Sequence, residues 1–421
     1  MVVTANHDLP LGHLSGCQLC GAGDLELVLD LGHHPPCDSL LRPDQLLEAE
    51  RTYPLRFVRC VQCGLVQIDY VVAPEVLFHP DYPYRTGITT TLAKHLESTA
   101  VSVIEKFGLE RGSLVIDIGS NDGTALQAFK ARGMRVLGIE PTNVAKIAIE
   151  NGIPTVQEFF SEVLGRQIRK EHGPAAVVIA TNMFAHVQKL GELIRGVKHL
   201  LGDEGAFVTE SHYLLDLIRT VQYDSIYHEH LKYYAVKPLR TLLNGYEFSL
   251  VDVERIPSYG GSIRVYAMHG PHRKVTDGVG RLIAEEERAG LYTSEAYASF
   301  RERVIRSKLG LQGLLLEIKR QGRRAVGIGC PGRSSTLLNY CSVDPELMPY
   351  IAEQANCLKV GLFLPGKHIP IVDEKIMFDE GPEYGVMLSW HYAGPIMAAL
   401  RRKGFGGKFI LPLPEVRVVE E

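Results

Sequence analysis

Val115-Ile116-Asp117-Ile118-Gly119-Ser120-Asn121-Asp122-Gly123 is the stretch from which the fold is read. An apolar run ends in a glycine turn, and a helix pattern from Ala125 to Arg132 follows at once, as in a nucleotide-binding α/β unit. Such a turn lets backbone approach a ligand closely and aims helix N–H groups at it. A dinucleotide fingerprint would place a further glycine here, whereas this turn presents Asn121 and Asp122, acid where a diphosphate would be repelled. An acidic turn suits a ligand carrying an ammonium and a sulfonium. The next strand ends at Glu140, close to the ~20-residue offset at which a carboxylate can grip ribose hydroxyls. The loop therefore favours S-adenosylmethionine over a nicotinamide dinucleotide.

Outward from this turn, strands and helices alternate. Thr91 to Phe107 reads as a helix, and Val136 to Glu140, Ala176 to Ala180 and Gly205 to Glu210 read as strands, which implies parallel pairing with right-handed crossovers. Tyr259-Gly260-Gly261 reads as a turn feeding a last strand that ends near Met268. Thr276 to Gly322 is a charged helical region, expected to be a solvated connector. A second α/β pattern then runs from Arg324 to Pro412, with strands at Arg324–Gly329, Tyr384–Trp390 and Lys408–Pro412. Its Gly327-Ile328-Gly329-Cys330-Pro331-Gly332 fits GxGxxG, but Pro331 in the turn and the missing acidic partner weaken a nicotinamide reading.

At 421 residues with 45% hydrophobic and 22% charged residues, the chain should hold two or three globular domains rather than a disordered or membrane-spanning polymer. A net charge of -4 without a basic stripe argues against nucleic acid as a partner. No membrane span or secretory leader is visible, so a cytoplasmic protein, monomeric or weakly self-associating, is expected. Cysteines are then not a disulfide framework. Cys17-x-x-Cys20 and Cys60-x-x-Cys63 are knuckles closed by Gly21 and Gly64, an arrangement that suits tetrahedral zinc. A redox pair or plain buried thiols are the competing readings. The chain between the knuckles is expected to loop out around Gly32-His33-His34-Pro35-Pro36. Cys37, Cys330, Cys341 and Cys357 stand alone.

After the strand ending at Glu210 comes a dense polar run, Tyr223-Asp224-Ser225-Ile226-Tyr227-His228-Glu229-His230-Leu231-Lys232-Tyr233-Tyr234. Tyr, His and Glu packed this closely form a proton-handling set. The histidines lack the spacing that puts two metal ligands on one helical face, and an aromatic-rich core helix is the other alternative.

The paired knuckles, Asp117-x-Gly119-x-Asn121-Asp122-Gly123, Asn182-Met183-Phe184-Ala185-His186, Tyr227-His228-Glu229-His230, Thr336 to Tyr340 and Pro365-Gly366-Lys367-His368-Ile369-Pro370-Ile371 occur together. In this the chain resembles the S-adenosylmethionine-dependent sugar C-methyltransferases of deoxysugar biosynthesis, which methylate C3 of a nucleotide-linked 4-keto-deoxysugar. The resemblance implies a zinc-binding domain at 1–78, a class I methyltransferase domain of Rossmann-like α/β fold at 79–275, and a C-terminal Rossmann-like domain at 276–421 that helps bind the nucleotide sugar. It implies His230 as general base, Tyr227 and Glu229 as its assistants, His186 as the stabiliser of charge on the ketone oxygen, and Tyr82 or Tyr84 at the sugar. The donor set would be Asp117, Gly119, Asn121, Asp122, Gly123, Glu140, Phe160 and Asn182. Asp224, Arg333, Ser334, Lys359 and His368 would meet the substrate, whose nucleotide is expected to be dTDP. Arg333 and His391 depart from the residues more common at their positions. An O- or N-methyltransferase and a zinc-containing binding scaffold are the alternatives.

Overall fold

The computed structural model describes residues 7–78, 85–88 and 90–419, so Tyr82 and Tyr84 lie outside the described residues. The apolar run that ends in the glycine turn is the strand Leu114–Ile118 (β1), buried at every position. Leu114, Ile116 and Ile118 enter one core cluster and Val115 another, because successive side chains of a strand face opposite sides. Helix Thr90–Phe107 supplies Leu92, Leu96, Ala100 and Val103 to the second cluster, a spacing that keeps one helical face on the sheet.

The sheet around β1 has seven strands. Arg135–Ile139 (β2), Thr155–Val156 (β3), Ala175–Thr181 (β4), Leu201–His212 (β5), Phe248–Ile256 (β6) and Ser262–His269 (β7) join it in the order β3-β2-β1-β4-β5-β7-β6. The first five pair in parallel, and β7 runs antiparallel to both β5 and β6. One reversed strand inserted beside the last is the class I methyltransferase arrangement, as expected.

The cysteine-rich segment forms a second sheet from Leu25–His34, Tyr53–Cys60 and Val66–Ile68. Gly32, His33 and His34 therefore do not loop out: they end a ten-residue strand that pairs antiparallel with Tyr53–Cys60, with shifts of register along it. The fourth strand of this sheet comes from far along the chain. Lys232–Tyr233 pairs antiparallel with Val66–Gln67, so the segment that follows His230 closes the edge of the cysteine-rich sheet.

The charged region is also not a solvated connector. It forms helices Asp277–Arg288 and Ser294–Arg320, and the second buries Tyr297, Phe300, Val304, Leu311, Leu315 and Ile318. Arg301 donates to the carbonyls of Leu27 and Val28, so this helix braces the cysteine-rich sheet. Its polar face is charged, and the apolar face decides its packing.

The last sheet is built from Ala325–Ile328 (β8), Ile351–Glu353 (β9), Ile371–Asp373 (β10), Tyr384–Met387 (β11), Lys408–Leu411 (β12) and Arg417–Val419 (β13), in the order β10-β9-β8-β11-β12-β13. All neighbours but the last pair run parallel, which makes it a second Rossmann-like unit. Helix Arg333–Tyr340 follows β8 and meets the polar run after Tyr223, where the Thr336 hydroxyl donates to the Ile226 carbonyl.

Candidate active site

A cavity of about 380 Å³ opens at the carboxyl ends of β1, β2 and β4, the place where open α/β sheets bind ligands. Asp117 lines it from β1 itself, Gly119 and Asn121 from the turn that follows, Glu140 and Thr142 from beyond β2, Phe160 from the loop after β3, and Asn182 and His186 from beyond β4. At Gly119 φ is +76° and an added Cβ would lie 3.0 Å from the Met183 side chain, so glycine is required there. Asn121 takes the left-handed region at φ 50°, which Asn tolerates better than most residues. Its backbone N–H donates to Glu140 Oε2 at 3.0 Å. The other Glu140 oxygen accepts from the Thr142 N–H and hydroxyl at 2.9 and 2.7 Å, which holds this carboxylate in place.

Asp117 is buried, and its Oδ1 has no hydrogen-bond partner among the described residues. Burial, and then the neighbouring Glu140 charge, push its carboxyl well above the usual range. A buried carboxylate oxygen with nothing to bond to, in a cavity walled by a second carboxylate, is a fit for a positively charged ligand. Asp122 and Gly123 do not line the cavity. Asp122 is an anchor: its carboxylate accepts from the Gly87 N–H at 2.8 Å and from the Thr124 hydroxyl at 2.6 Å.

Behind His186 lies a cluster of rings. The His230 ring sits 4.8 Å from His186, 5.0 Å from His212 and 3.9 Å from Tyr227, centre to centre. His230 Nδ1 lies 2.8 Å from the Ser225 carbonyl oxygen. A carbonyl can only accept, so Nδ1 carries the proton and Nε2 presents a lone pair. Burial drives His230 well below the ordinary histidine pKa, and His186 and His212 add to this. Burial likewise lowers His186 to about 4 and His212 to about 3. All three imidazoles are therefore neutral near pH 7.

The sequence reading gives Glu229 the task of assisting this imidazole, yet the ring is oriented by backbone. Glu229 Oε1 accepts from the Cys37 thiol at 3.3 Å. His228 is directed elsewhere and bonds the Pro54 carbonyl at 3.2 Å, because the chain turns here, the His230 N–H donating back to the Tyr227 carbonyl at 2.9 Å.

Farther from this cavity, Asp224 accepts from Trp390 Nε1 at 2.7 Å and pairs with Arg333 at 3.7 Å, while its Oδ1 and the Ser334 hydroxyl are buried without a partner among the described residues. Arg333 also approaches His391 Nδ1 and the Tyr259 carbonyl, both at 3.5 Å. Tyr259 closes the circle, since it lines the donor cavity and packs edge-on to His212 at 5.7 Å. Asp224, Arg333 and Ser334 thus join the ring cluster. Lys359 and His368 do not. Lys359 is buried against Asp38 at 2.8 Å and the Cys330 carbonyl at 3.0 Å, and His368 pairs with Glu50 at 3.2 Å.

Sequence reasoning passed over His212 as a site residue. The signal was available, because His212 ends β5 and ligands gather at the carboxyl ends of parallel strands.

The four thiols of Cys17, Cys20, Cys60 and Cys63 lie within 4.8 Å of one another, with Cys17–Cys63 and Cys20–Cys60 at 3.4 and 3.5 Å. A tetrahedral zinc with bonds of about 2.3 Å spaces its sulfurs by roughly 3.8 Å, so the group fits the ion.

Comparison with known proteins agrees with this geometry. The chain is 32% identical over 408 residues to C-methyltransferase NovU of Streptomyces niveus, covering 96% of each. The chain belongs to the sugar C-methyltransferase family. Three family models match it: a zinc binding domain over residues 17–78, a methyltransferase domain over 92–253 and the C-methyltransferase C-terminal domain over 257–414. Among solved structures, it is similar to magnesium protoporphyrin IX methyltransferase from Synechocystis with bound SAM, at 14% identity, 43% of this chain, 82% of that one and a TM-score of 0.33. The PH0226 protein from Pyrococcus horikoshii gives 14% identity, 45% and 96% coverage and a TM-score of 0.35. This member of the C-methyltransferase family uses S-adenosylmethionine as methyl donor and holds structural zinc on its knuckles.

Proposed function

We propose that this enzyme methylates C3 of a nucleotide-linked 4-keto-deoxysugar, dTDP-linked in the first instance, with His230 as general base. The observation that carries the reading is the His230–Ser225 contact of 2.8 Å, which leaves Nε2 free as an acceptor beside His186 on the wall of the donor cavity. A carbon next to a ketone becomes nucleophilic when its proton is removed, and a neutral imidazole in a dry site can remove it. Negative charge then collects on the ketone oxygen. His186, also neutral, can donate an N–H to that oxygen, and Tyr227 can donate its hydroxyl, which burial keeps protonated. Asp117 and Glu140 hold the donor, and S-adenosylmethionine supplies an electrophilic methyl group when bound. Base and methyl on opposite faces would invert the carbon.

Arg333, with Ser334 beside it, would be the cation that meets the diphosphate, its guanidinium held by the pairing with Asp224. Residues 1–78, 79–275 and 276–421 would then divide the work between metal, donor and nucleotide sugar. The test is incubation of the pure enzyme with S-adenosylmethionine and 4-keto-deoxysugar nucleotides labelled with deuterium at C3. The reading expects gain of one methylene unit together with loss of the label to solvent. Methyl gain with the label retained would remove the enolate route.

A further inference from the structure

Gln18 stands between the two cysteines of the first knuckle and is buried although it is polar. Its side-chain Nε2 donates to the carbonyls of Ile68 at 2.9 Å and Leu231 at 3.1 Å, and its backbone N–H donates to Gln67 Oε1 at 2.7 Å. Gln67, also fully buried, returns a bond to the Gly16 carbonyl at 3.3 Å. Leu231 is the residue after His230. Its carbonyl accepts a second bond from the Ile68 N–H at 3.2 Å, and its own N–H donates to the Ala185 carbonyl at 3.1 Å, next to His186. Lys232 continues the grip by donating Nζ to the Val187 carbonyl at 2.9 Å. The backbone beside His230 and His186 is therefore tied to the zinc knuckle through Leu231, whose carbonyl accepts from the Gln18 amide and whose N–H donates to the Ala185 carbonyl.

We infer that Gln18 is a positioning residue for His230, and that the zinc knuckle sets the place of the base through the Leu231 carbonyl. This rests on the reading of His230 as base. The metal fixes the Cys17–Cys20 turn, the turn fixes the Gln18 amide, and the amide fixes the carbonyl that follows the imidazole. Loss of the amide leaves the Leu231 carbonyl with only the Ile68 N–H, so the Leu231–Lys232 peptide, one residue beyond His230, is held by one bond instead of two. Misplacement of a reacting group by about 1 Å, even from a change far from the chemistry, can cost about 100-fold in rate.

The experiment compares wild type with Gln18→Met, which keeps the length of the side chain and removes both donated bonds. Zinc content by metal analysis and S-adenosylmethionine affinity by calorimetry report whether the fold is intact. The decisive measurement is nitrogen-15 NMR of the His230 ring, assigned with His230→Asn, in protein free of acceptor. The inference expects one zinc per chain and donor affinity within twofold of wild type. It expects a single Nδ1-protonated tautomer in wild type, a changed or mixed tautomer signal in Gln18→Met, and turnover lower by about tenfold or more. A His230 signal and turnover identical to wild type overturn it. If Gln18→Met binds no donor, Gln18→Asn takes its place, its amide falling one methylene short of Leu231, and an unaltered His230 signal there overturns the inference as well. Full turnover in His230→Asn would instead overturn the reading of the base itself.

Discussion

His230 Nδ1 and the carbonyl oxygen of Ser225 lie 2.8 Å apart within one short segment of chain, and that single contact decides which ring nitrogen can take up a proton. A carboxylate in the same place would stabilise the charged ring. A backbone carbonyl orients it with less gain in basicity, which agrees with a neutral imidazole kept well below its ordinary pKa by burial.

His230→Asn keeps a group able to bond Ser225 and removes the proton acceptor. Turnover should fall by about 10²- to 10⁴-fold, the usual contribution of a general base. Donor affinity by calorimetry should stay within twofold, because His230 does not line the donor cavity.

Asp117→Asn removes the carboxylate that lines the cavity and keeps the shape of the side chain. Donor affinity should drop by about 10- to 100-fold, as expected for a hydrogen bond to a charged group. The same change should stabilise the donor-free protein at neutral pH, since Asp117 is held against burial and the Glu140 charge. Calorimetry and thermal melts measured on one preparation check both signs.

Arg333→Lys retains the cation but loses the planar fork that approaches Asp224, His391 and Tyr259. The acceptor KM should rise by about tenfold or more, with the donor affinity unchanged. Steady-state kinetics at saturating donor read this directly.

Acid should destabilise the fold before ordinary carboxylates titrate. Folded His34, His186 and His228 titrate at about 4 and His212 at about 3, all below the unfolded value of 6.5. Between pH 6.5 and 4 the unfolded chain takes up protons that the folded chain refuses, so stability falls as pH falls through that window. Each histidine steepens the fall by up to about 1.4 kcal/mol per pH unit. Urea midpoints at pH 7, 6 and 5 should decline in that order, and a flat series would refute it.

Much of this architecture could be read before the structure. A strand covered on both faces reads as a near-continuous apolar run, so Leu114–Ile118 announced itself with Asp117 as its one polar residue, and knuckle spacing announced the metal. What stayed hidden was non-local or carried no side-chain signature. Leu25–His34 has shifts of register that blur alternation, and the pairing of Lys232–Tyr233 with Val66–Gln67 joins segments with no shared pattern. The group that orients His230 is a carbonyl, which every residue possesses, so the carboxylate of Glu229 drew the inference instead. Lys359 and His368 looked like anion binders because loop cations attract that reading. Their partners, Asp38 and Glu50, lie more than three hundred residues earlier in the chain.

The shared edge between the cysteine-rich sheet and Lys232–Tyr233 also bears on hybrid enzymes. Heads exchanged between relatives would have to reproduce the ladder of Val66 and Gln67 in step with their host. A slip of one residue would turn every side chain of that short strand to the opposite face, sending Lys232 outward and dragging the His230 ring with it. Compatibility between a borrowed head and its new body would then be governed by strand register, more than by how closely the two sequences agree.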